Sequence, residues 1–312
     1  LPFGLTYIYR TGEEYINVFP VWDWACLPGV TSPHYAFSSS GRSSQNTALV
    51  GGVSDSTYGV STMQLDVKNT QAKKSWFWFD EEWVALGADI QSKNKHPIVT
   101  GVNQARLKGE VLVDDDSFPT GTQTIENPGW MWHDSIGYVL PAEETIKLRT
   151  GERTGQLQKI YQLGADSVYR TNLFALWFEH GRKPQSVTYE YAVLPNCTPE
   201  EVNDYANDIP YQVLANNAQI QAISHTELKI TGIVFHEAGR ISLADGLTVL
   251  VDNPCLLLIN QINNTFTVSD PTTRLKQLEI EVNTAYSRRM THKVELPQVE
   301  LAGSSVTFDL GG

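Results

Sequence analysis

Disulfides, membrane spans and the common catalytic signatures are missing, or nearly so, from this sequence. Only Cys26, Cys197 and Cys255 occur in 312 residues. So odd and sparse a set excludes a disulfide framework and leaves room for one bridge at most. No apolar run approaches the ~20 residues of a membrane-spanning helix. Residues 247–259 come nearest and are broken by Asp252, Asn253 and Pro254, so no membrane partner is expected. There is no G-x-S-x-G, Walker loop, H-E-x-x-H or C-x-x-C, which removes the usual hydrolase, nucleotide, zinc-protease and thiol-redox readings. An initiator Met and a signal peptide are absent too, and Leu1-Pro2-Phe3-Gly4 reads as the remainder of something longer.

Positive charge is short: 23 Lys and Arg stand against 35 Asp and Glu, a net charge of -12. No nucleic-acid partner is expected of such a chain. An anionic polymer would need a local basic surface, for which Arg149, Arg153, Lys159, Arg170, Arg182 and Lys183 are the candidates. A solvated face is the bland reading of the same cluster, and the weightier one.

What the sequence does have is aromatic and β-branched residues. Hydrophobic residues make up 41% of the chain, with eight Trp and thirteen Tyr. Such rings fill cores, and they also form the flat platforms on which sugar rings stack. Alternating runs at 6–9, 59–65, 74–79, 83–86, 98–100, 110–113, 136–140, 173–180 and 187–194 read as strands. In the run 74–79 both faces are aromatic, which suits a strand deep in a layered sandwich. One helix is expected: Thr198 caps it, Pro199 takes its first position, and Glu200 and Glu201 sit at the positive end of its dipole. Val202 and Tyr205 give it a short apolar face, and it ends by Asn207. After Tyr211 the strands shorten, at 218–224, 227–235, 247–251, 255–260 and 265–269. The fold class is therefore all-β: a large multi-sheet antiparallel sandwich over 1–210, then a smaller antiparallel β-sandwich over 211–312.

Few single residues carry chemistry on their face. Asp114-Asp115-Asp116 lacks the spaced acids, central Gly and terminal Glu of an EF-hand loop and reads as a solvated turn. The sequons at Asn196 and Asn263 matter only in a glycosylating host. His133, in Trp130-Met131-Trp132-His133-Asp134, is a candidate sugar-binding donor or general base; its structural alternative is a buried His that holds a loop. The other six histidines show no metal-ligand spacing.

Several stretches together resemble polysaccharide lyase family 8, which includes the chondroitin, hyaluronan and xanthan lyases. They are Gly4-Leu5-Thr6-Tyr7-Ile8-Tyr9-Arg10, Tyr15-Ile16-Asn17-Val18-Phe19-Pro20-Val21-Trp22-Asp23-Trp24 and Leu27-Pro28-Gly29-Val30-Thr31. Gly51-Gly52-Val53-Ser54-Asp55, Lys73-Lys74-Ser75-Trp76-Phe77-Trp78-Phe79-Asp80-Glu81-Glu82, Leu86-Gly87-Ala88-Asp89-Ile90 and the stretch 132–138 continue the match. Order and spacing agree over residues 4–195, and the rest fits the family's small C-terminal domain more loosely.

The resemblance implies a helical toroid, a super-sandwich and a small β domain that together cleave uronate-containing glycans by β-elimination. Charge neutralisation at the carboxylate acidifies the C5 proton, which a Tyr and a His then handle. Those residues, with the substrate-holding Asn and Arg, belong to the helical domain, and a Glu-x-x-Asn contribution precedes Gly4. No family catalytic residue therefore falls on a numbered position here, and the chain alone is expected to be inactive. Its expected partners are an acidic polysaccharide and the missing helical domain, and its expected location is secreted or periplasmic. No cofactor is required. The family's structural calcium would involve Asp23, but Ala25 and His34 stand where further acids belong, and a hard cation wants several oxygens. Asp23 is then expected to accept hydrogen bonds from the following loop.

For substrate binding, the loop residues Arg42, Gln45 and Asn46 and the ring of His133 are the candidates. Two other functions compete with the lyase scaffold. One is a stand-alone carbohydrate-binding module. The other is a mutarotase-like enzyme that uses His133, Glu179 and His180, a reading that rests on fold analogy alone.

Overall fold

The computed structural model describes residues 3–35, 47–141, 143–160, 164, 166–243, 246–283 and 289–309. Strands dominate it, and every strand pair with a printed register is antiparallel. The first strands are β1 (Thr31–Pro33), β2 (Val50–Ser54), β3 (Gly59–Val67), β4 (Thr70–Trp78) and β5 (Trp83–Ser92). Then come β6 (Pro97–Arg106), β7 (Val111–Val113), β8 (Asp116–Ser117), β9 (Gly121–Glu126), β10 (Trp130–His133) and β11 (Ile136–Val139). The long strands β12 (Thr145–Gly155), β13 (Tyr169–Arg182) and β14 (Val187–Pro195) precede the helix α1 (Pro199–Asn207). Next are β15 (Tyr211–Asn216), β16 (Ile220–His225), β17 (Ile230–Phe235), β18 (Gly239–Ser242) and β19 (Thr248–Val251). The series closes with β20 (Cys255–Asn260), β21 (Thr265–Ser269), β22 (Gln277–Asn283), β23 (Met290–Glu295) and β24 (Val306–Asp309). No helix among the described residues is long and apolar enough to cross a membrane.

The chain divides into two compact units, one of residues 1–46, 65–72 and 90–208, the other of 47–64, 73–89 and 209–312. In the first unit a five-stranded sheet runs β1-β6-β13-β12-β9, and β14-β11-β10-β7-β8 are successive neighbours in another. Side chains of β13 join the two layers. Phe174 stacks on His133 and Tyr138, and Phe178 stacks on Tyr189. Stacked rings at 4.4 to 5.7 Å fill the ~10 Å between facing sheets.

The second unit holds β2 with residues 59–64, 73–78 and 83–89 of β3, β4 and β5, a six-stranded sheet β15-β16-β17-β20-β21-β24 and a four-stranded sheet β18-β19-β22-β23. Gly232 on β17 shows why a layer can approach so closely. A Cβ there would lie 2.6 Å from Val60 and 2.8 Å from Phe77, so only hydrogen fits. Lys74, Ser75, Trp76 and Phe77 are all buried, in keeping with the two-faced burial expected of that strand.

The helix matches its sequence reading. Thr198 accepts the Glu201 N–H, and the Glu201 carboxylate accepts the Thr198 N–H at 2.7 Å, a closed capping box. Residues 6–9, expected as a strand, pair with no ladder. The Thr6 N–H donates to Pro28 O, and the Ile8 N–H donates to the Tyr15 hydroxyl at 3.1 Å. Their alternation serves an aromatic cluster instead. All three cysteines are buried and free.

Candidate functional site

Residues 3–30 carry almost no regular structure, so their backbone groups need other partners. Side chains supply them. Glu14 accepts from Arg10 N, Thr11 N and Gly12 N at 2.7 to 3.1 Å. Burial works to raise its pKa, but these donors outweigh burial and hold it at about 2. Gln104 of β6, fully buried, accepts the Asp23 N–H at 2.8 Å and donates to Asp23 O and Cys26 O. The Trp22 indole donates to Gln104 O at 3.0 Å, and the Trp24 indole to Phe19 O at 3.0 Å. Tyr7 and Phe19 both pack on Trp22, and the Trp22 and Trp24 rings meet edge to face at 5.7 Å.

This folded segment forms one side of a recess of about 450 Å³. Trp22, Asp23, Trp24, His34 and Tyr35 line it from the N-terminal segment; Arg153, Thr154, Gly155, Gln156 and Lys159 line it from the end of β12 and the turn beyond. Gly155 is required there, since a Cβ would fall 1.8 Å from Pro20 O. Asp23 is fixed at the centre: Oδ1 accepts the Ala25 N–H at 3.2 Å, and Oδ2 lies 3.0 Å from His34 Nε2. An ionised carboxylate only accepts, so that nitrogen carries the hydrogen. Burial pushes the Asp23 pKa upward, but His34, the Ala25 N–H and nearby Arg149 together bring it below the usual carboxylate value. Arg149 lies over the Trp177 ring, 5.6 Å from its centroid, a diagonal cross-strand pairing of β12 with β13.

A structural calcium does not fit these residues. Asp23 is the one carboxylate lining the recess among the described residues. Both its oxygens are engaged, and the groups around it are donors or cations. Among the described residues the Arg149 Nε and Trp177 Nε1 hydrogens find no partner, and they seek an acceptor, not a metal. Among the described residues no three His, Cys, Asp or Glu side chains gather as a ligand set. The recess is suited to an anion-bearing ring: aromatic edges for stacking, with Arg153 and Lys159 for charge.

The other sequence candidates fall elsewhere. Arg42, Gln45 and Asn46 lie outside the described residues. His133 is 2% exposed, stacks on Phe174 at 4.4 Å, and its Nε2 accepts the Lys108 N–H at 3.1 Å. Burial, helped by Lys108 and opposed by Asp134, lowers its pKa to about 4, so it is a neutral acceptor at pH 7. Asp134 ties the same corner through Arg10 at 3.1 Å. Glu179 pairs with Lys147 at 2.6 Å, and His180 Nε2 lies 2.8 Å from Thr100 Oγ1. Phe174, against which His133 rests, is six residues from His180 along β13, roughly 20 Å of strand. The mutarotase-like trio is therefore not assembled. Of the basic cluster, Arg153 and Lys159 reach the recess and Arg149 borders it, whereas Arg170 pairs with Glu152 at the surface. Asp114 forms a turn, its Oδ1 accepting the Gly129 and Trp130 N–H groups. Gln104 gave no sequence signal, because a lone Gln in a strand shows its role only when the fold brings the Asp23 turn against it.

Comparison with known proteins agrees with the architecture. Residues 1–206 match the model of the polysaccharide lyase family 8 super-sandwich domain, and residues 212–279 match that of the family's C-terminal β-sandwich domain. Chondroitinase-AC of Pedobacter heparinus is 35% identical over 97% of this chain and 45% of its own length. A solved chondroitinase AC lyase superposes with a TM-score of 0.88 at 35% identity, over 95% of this chain and 45% of that one. Paenibacillus xanthan lyase gives 0.89 at 27% identity, over 99% and 33%. The chain thus spans less than half the length of these relatives.

Proposed function

The chain belongs to polysaccharide lyase family 8, and on that premise we propose that it is the β portion of an enzyme that cleaves uronate glycans of the chondroitin, hyaluronan or xanthan type. In this reading it acts as scaffold and as one wall of the substrate cleft, while a helical domain supplies the proton transfers of β-elimination. The observation that carries it is the recess between the Trp22–Trp24 turn and the end of β12. A protein of net charge -12 repels a polyanion in general. Here Arg153 and Lys159 line the same recess as the half-buried Trp24, while His34 and Arg149 offset the carboxylate of Asp23. An acidic sugar finds local attraction and a stacking face in one place. A polymeric substrate also implies work outside the cytoplasm, in the periplasm or beyond the cell.

The test pairs binding with turnover on this chain. Intact mass establishes a lone 34.8 kDa species, which is then incubated with chondroitin sulfate, hyaluronan and xanthan while ultraviolet absorbance reports unsaturated uronate. The expected result is no product, together with binding to at least one glycan that weakens with added salt and falls several-fold in Arg153→Ala and Lys159→Ala. Product from the lone chain overturns the scaffold reading. Binding indifferent to both substitutions removes the recess from the cleft wall.

A further inference from the structure

The second unit contains a recess of the opposite electrostatic character. The turn between β2 and β3 is locked by Asp55, whose Oδ1 accepts the Thr57 and Tyr58 N–H groups at 3.0 and 2.8 Å. The Ser54 hydroxyl closes that turn by donating to Tyr58 O at 2.8 Å, and the Ser54 N–H anchors it by donating to Ser305 Oγ at 3.0 Å. Trp78, the last residue of β4, borders the same recess of about 540 Å³. Its Nε1–H donates to Ser61 Oγ at 3.1 Å, and Trp83 backs it with ring centroids 5.5 Å apart. The indole's polar group is thereby used up. Trp78 is nevertheless 41% exposed, so apolar ring is open to solvent at a fixed orientation.

Around that ring the lining is rich in hydroxyls, from Ser54, Thr57, Tyr58, Ser61, Ser304 and Ser305. Among the described residues no Lys or Arg lines it. Two carboxylates adjoin its residue Tyr58: Asp80, 3.4 Å from the Tyr58 hydroxyl, and Asp55 in the turn. A uronate or sulfated sugar would meet repulsion here with no counter-charge. A neutral pyranose meets the complementary set. Its axial C–H face covers indole, and its hydroxyls exchange hydrogen bonds with serine, threonine and tyrosine hydroxyls. Because the turn and the indole are already held by internal hydrogen bonds, little ordering opposes binding.

We propose that the Trp78 recess is a binding site for a neutral pyranose oligosaccharide, a second glycan contact whose charge preference is the reverse of that at Arg153 and Lys159. The proposal stands independently of the lyase reading. Its test uses cellotetraose, xylotetraose and chitotetraose as probes, followed by tryptophan fluorescence and calorimetry on the whole chain. At least one probe is expected to bind saturably in the millimolar range, with Trp78→Ala weakening it about tenfold and Trp78→Tyr retaining most of the affinity. Thr57→Trp, a surface change that fills the recess and leaves the Trp78 contacts alone, is expected to abolish binding and provides the readout if Trp78→Ala folds poorly. Chondroitin sulfate binding is expected to be unmoved by Trp78→Ala. Failure of all three probes to bind at tens of millimolar overturns the proposal, and so does binding that survives both substitutions. Self-association that is lost in Trp78→Ala without any sugar response would instead assign the recess to a second copy of the chain.

Discussion

The N-terminal segment of the first unit and the terminal sandwich of the second solve the same problem by opposite means. In the second unit, alternation on paired strands sends Ile233, Phe235, Leu257, Ile259, Ile280 and their neighbours into one aliphatic core. Ladder hydrogen bonds satisfy the strand backbone, so buried polar side chains such as Gln221 and His236 can pair with each other. Residues 3–30 have no ladder. Their cluster is built on Tyr7, Tyr15, Trp22 and Trp24; it takes Glu14 and Gln104 into the interior as substitute backbone partners, while buried Asn103 accepts from the Tyr15 hydroxyl. Irregular chain fixed in this way can aim side chains in directions a strand cannot, and the cation-bearing recess sits beside it.

Breaking each region separately should expose that contrast. The largest loss is expected from Leu257→Ala, which hollows the fully buried aliphatic core and should cost about 2–5 kcal/mol. Urea unfolding measures it, and binding to the Arg153 recess should persist wherever the fold does. Gln104→Leu keeps volume but strips three backbone groups of their partner, an expected loss of about 2–3 kcal/mol. Here acidic-glycan binding should fall as well, because the Asp23 turn is released. Equal effects of the two substitutions on binding would contradict the contrast.

A pH series tests the part that Glu14 plays in the first region. Glu14 has its folded pKa depressed to about 2 by the donors around it, so its stabilisation is complete above its unfolded value near 4.5 and is lost as pH falls toward 2. Glu14→Gln cannot accept from all those donors at any pH. The melting-temperature gap between wild type and Glu14→Gln should therefore be full at pH 6 and shrink between roughly pH 4.5 and 2. A gap constant across that window would mean that Glu14 does not serve as the ionised acceptor of this loop.

What could be read from the sequence divides along the same line. Strands whose alternation faces a core were visible, among them β3, β5, β13, β14 and β20. The motif order around Trp22-Asp23-Trp24 and residues 73–82 led to the family. Strand β12 is not legible because the alternation of Ile146 and Leu148 with Lys147 and Arg149 is short, and Thr150, Gly151, Glu152 and Arg153 carry the strand on without an apolar residue. Residues 6–9 were misread because alternating aromatics have the same period whether they meet a sheet or a cluster. At the site, Asp23 and the cations Arg149, Arg153 and Lys159 were already singled out, but their convergence depends on the β12–β13 register and on Gly155 admitting Pro20. Neither is local information. His133 illustrates the same limit, since its neighbours in sequence do not reveal that Phe174 covers it.

The helix is the place where local information suffices, and it sharpens the contrast at its smallest scale. Thr198 and Glu201 satisfy each other's N–H groups at an exposed helix start, with only Val202 buried along its length. Removing the cap by Thr198→Ala should cost about 1 kcal/mol, and Thr198→Ser should recover most of it. Hydrogen bonds from the Thr198 N–H and hydroxyl hold the Glu201 pKa below its ordinary value, so the carboxylate half of the box is present above that value and fades as pH falls. Circular dichroism cannot isolate nine helical residues in an all-β chain, but amide exchange at Glu201 and Val202 can. Exchange there should accelerate in Thr198→Ala and stay near wild type in Thr198→Ser, while amides of β20 remain unchanged. If the β20 amides accelerated equally, the helix would be part of the global core and not a locally specified element.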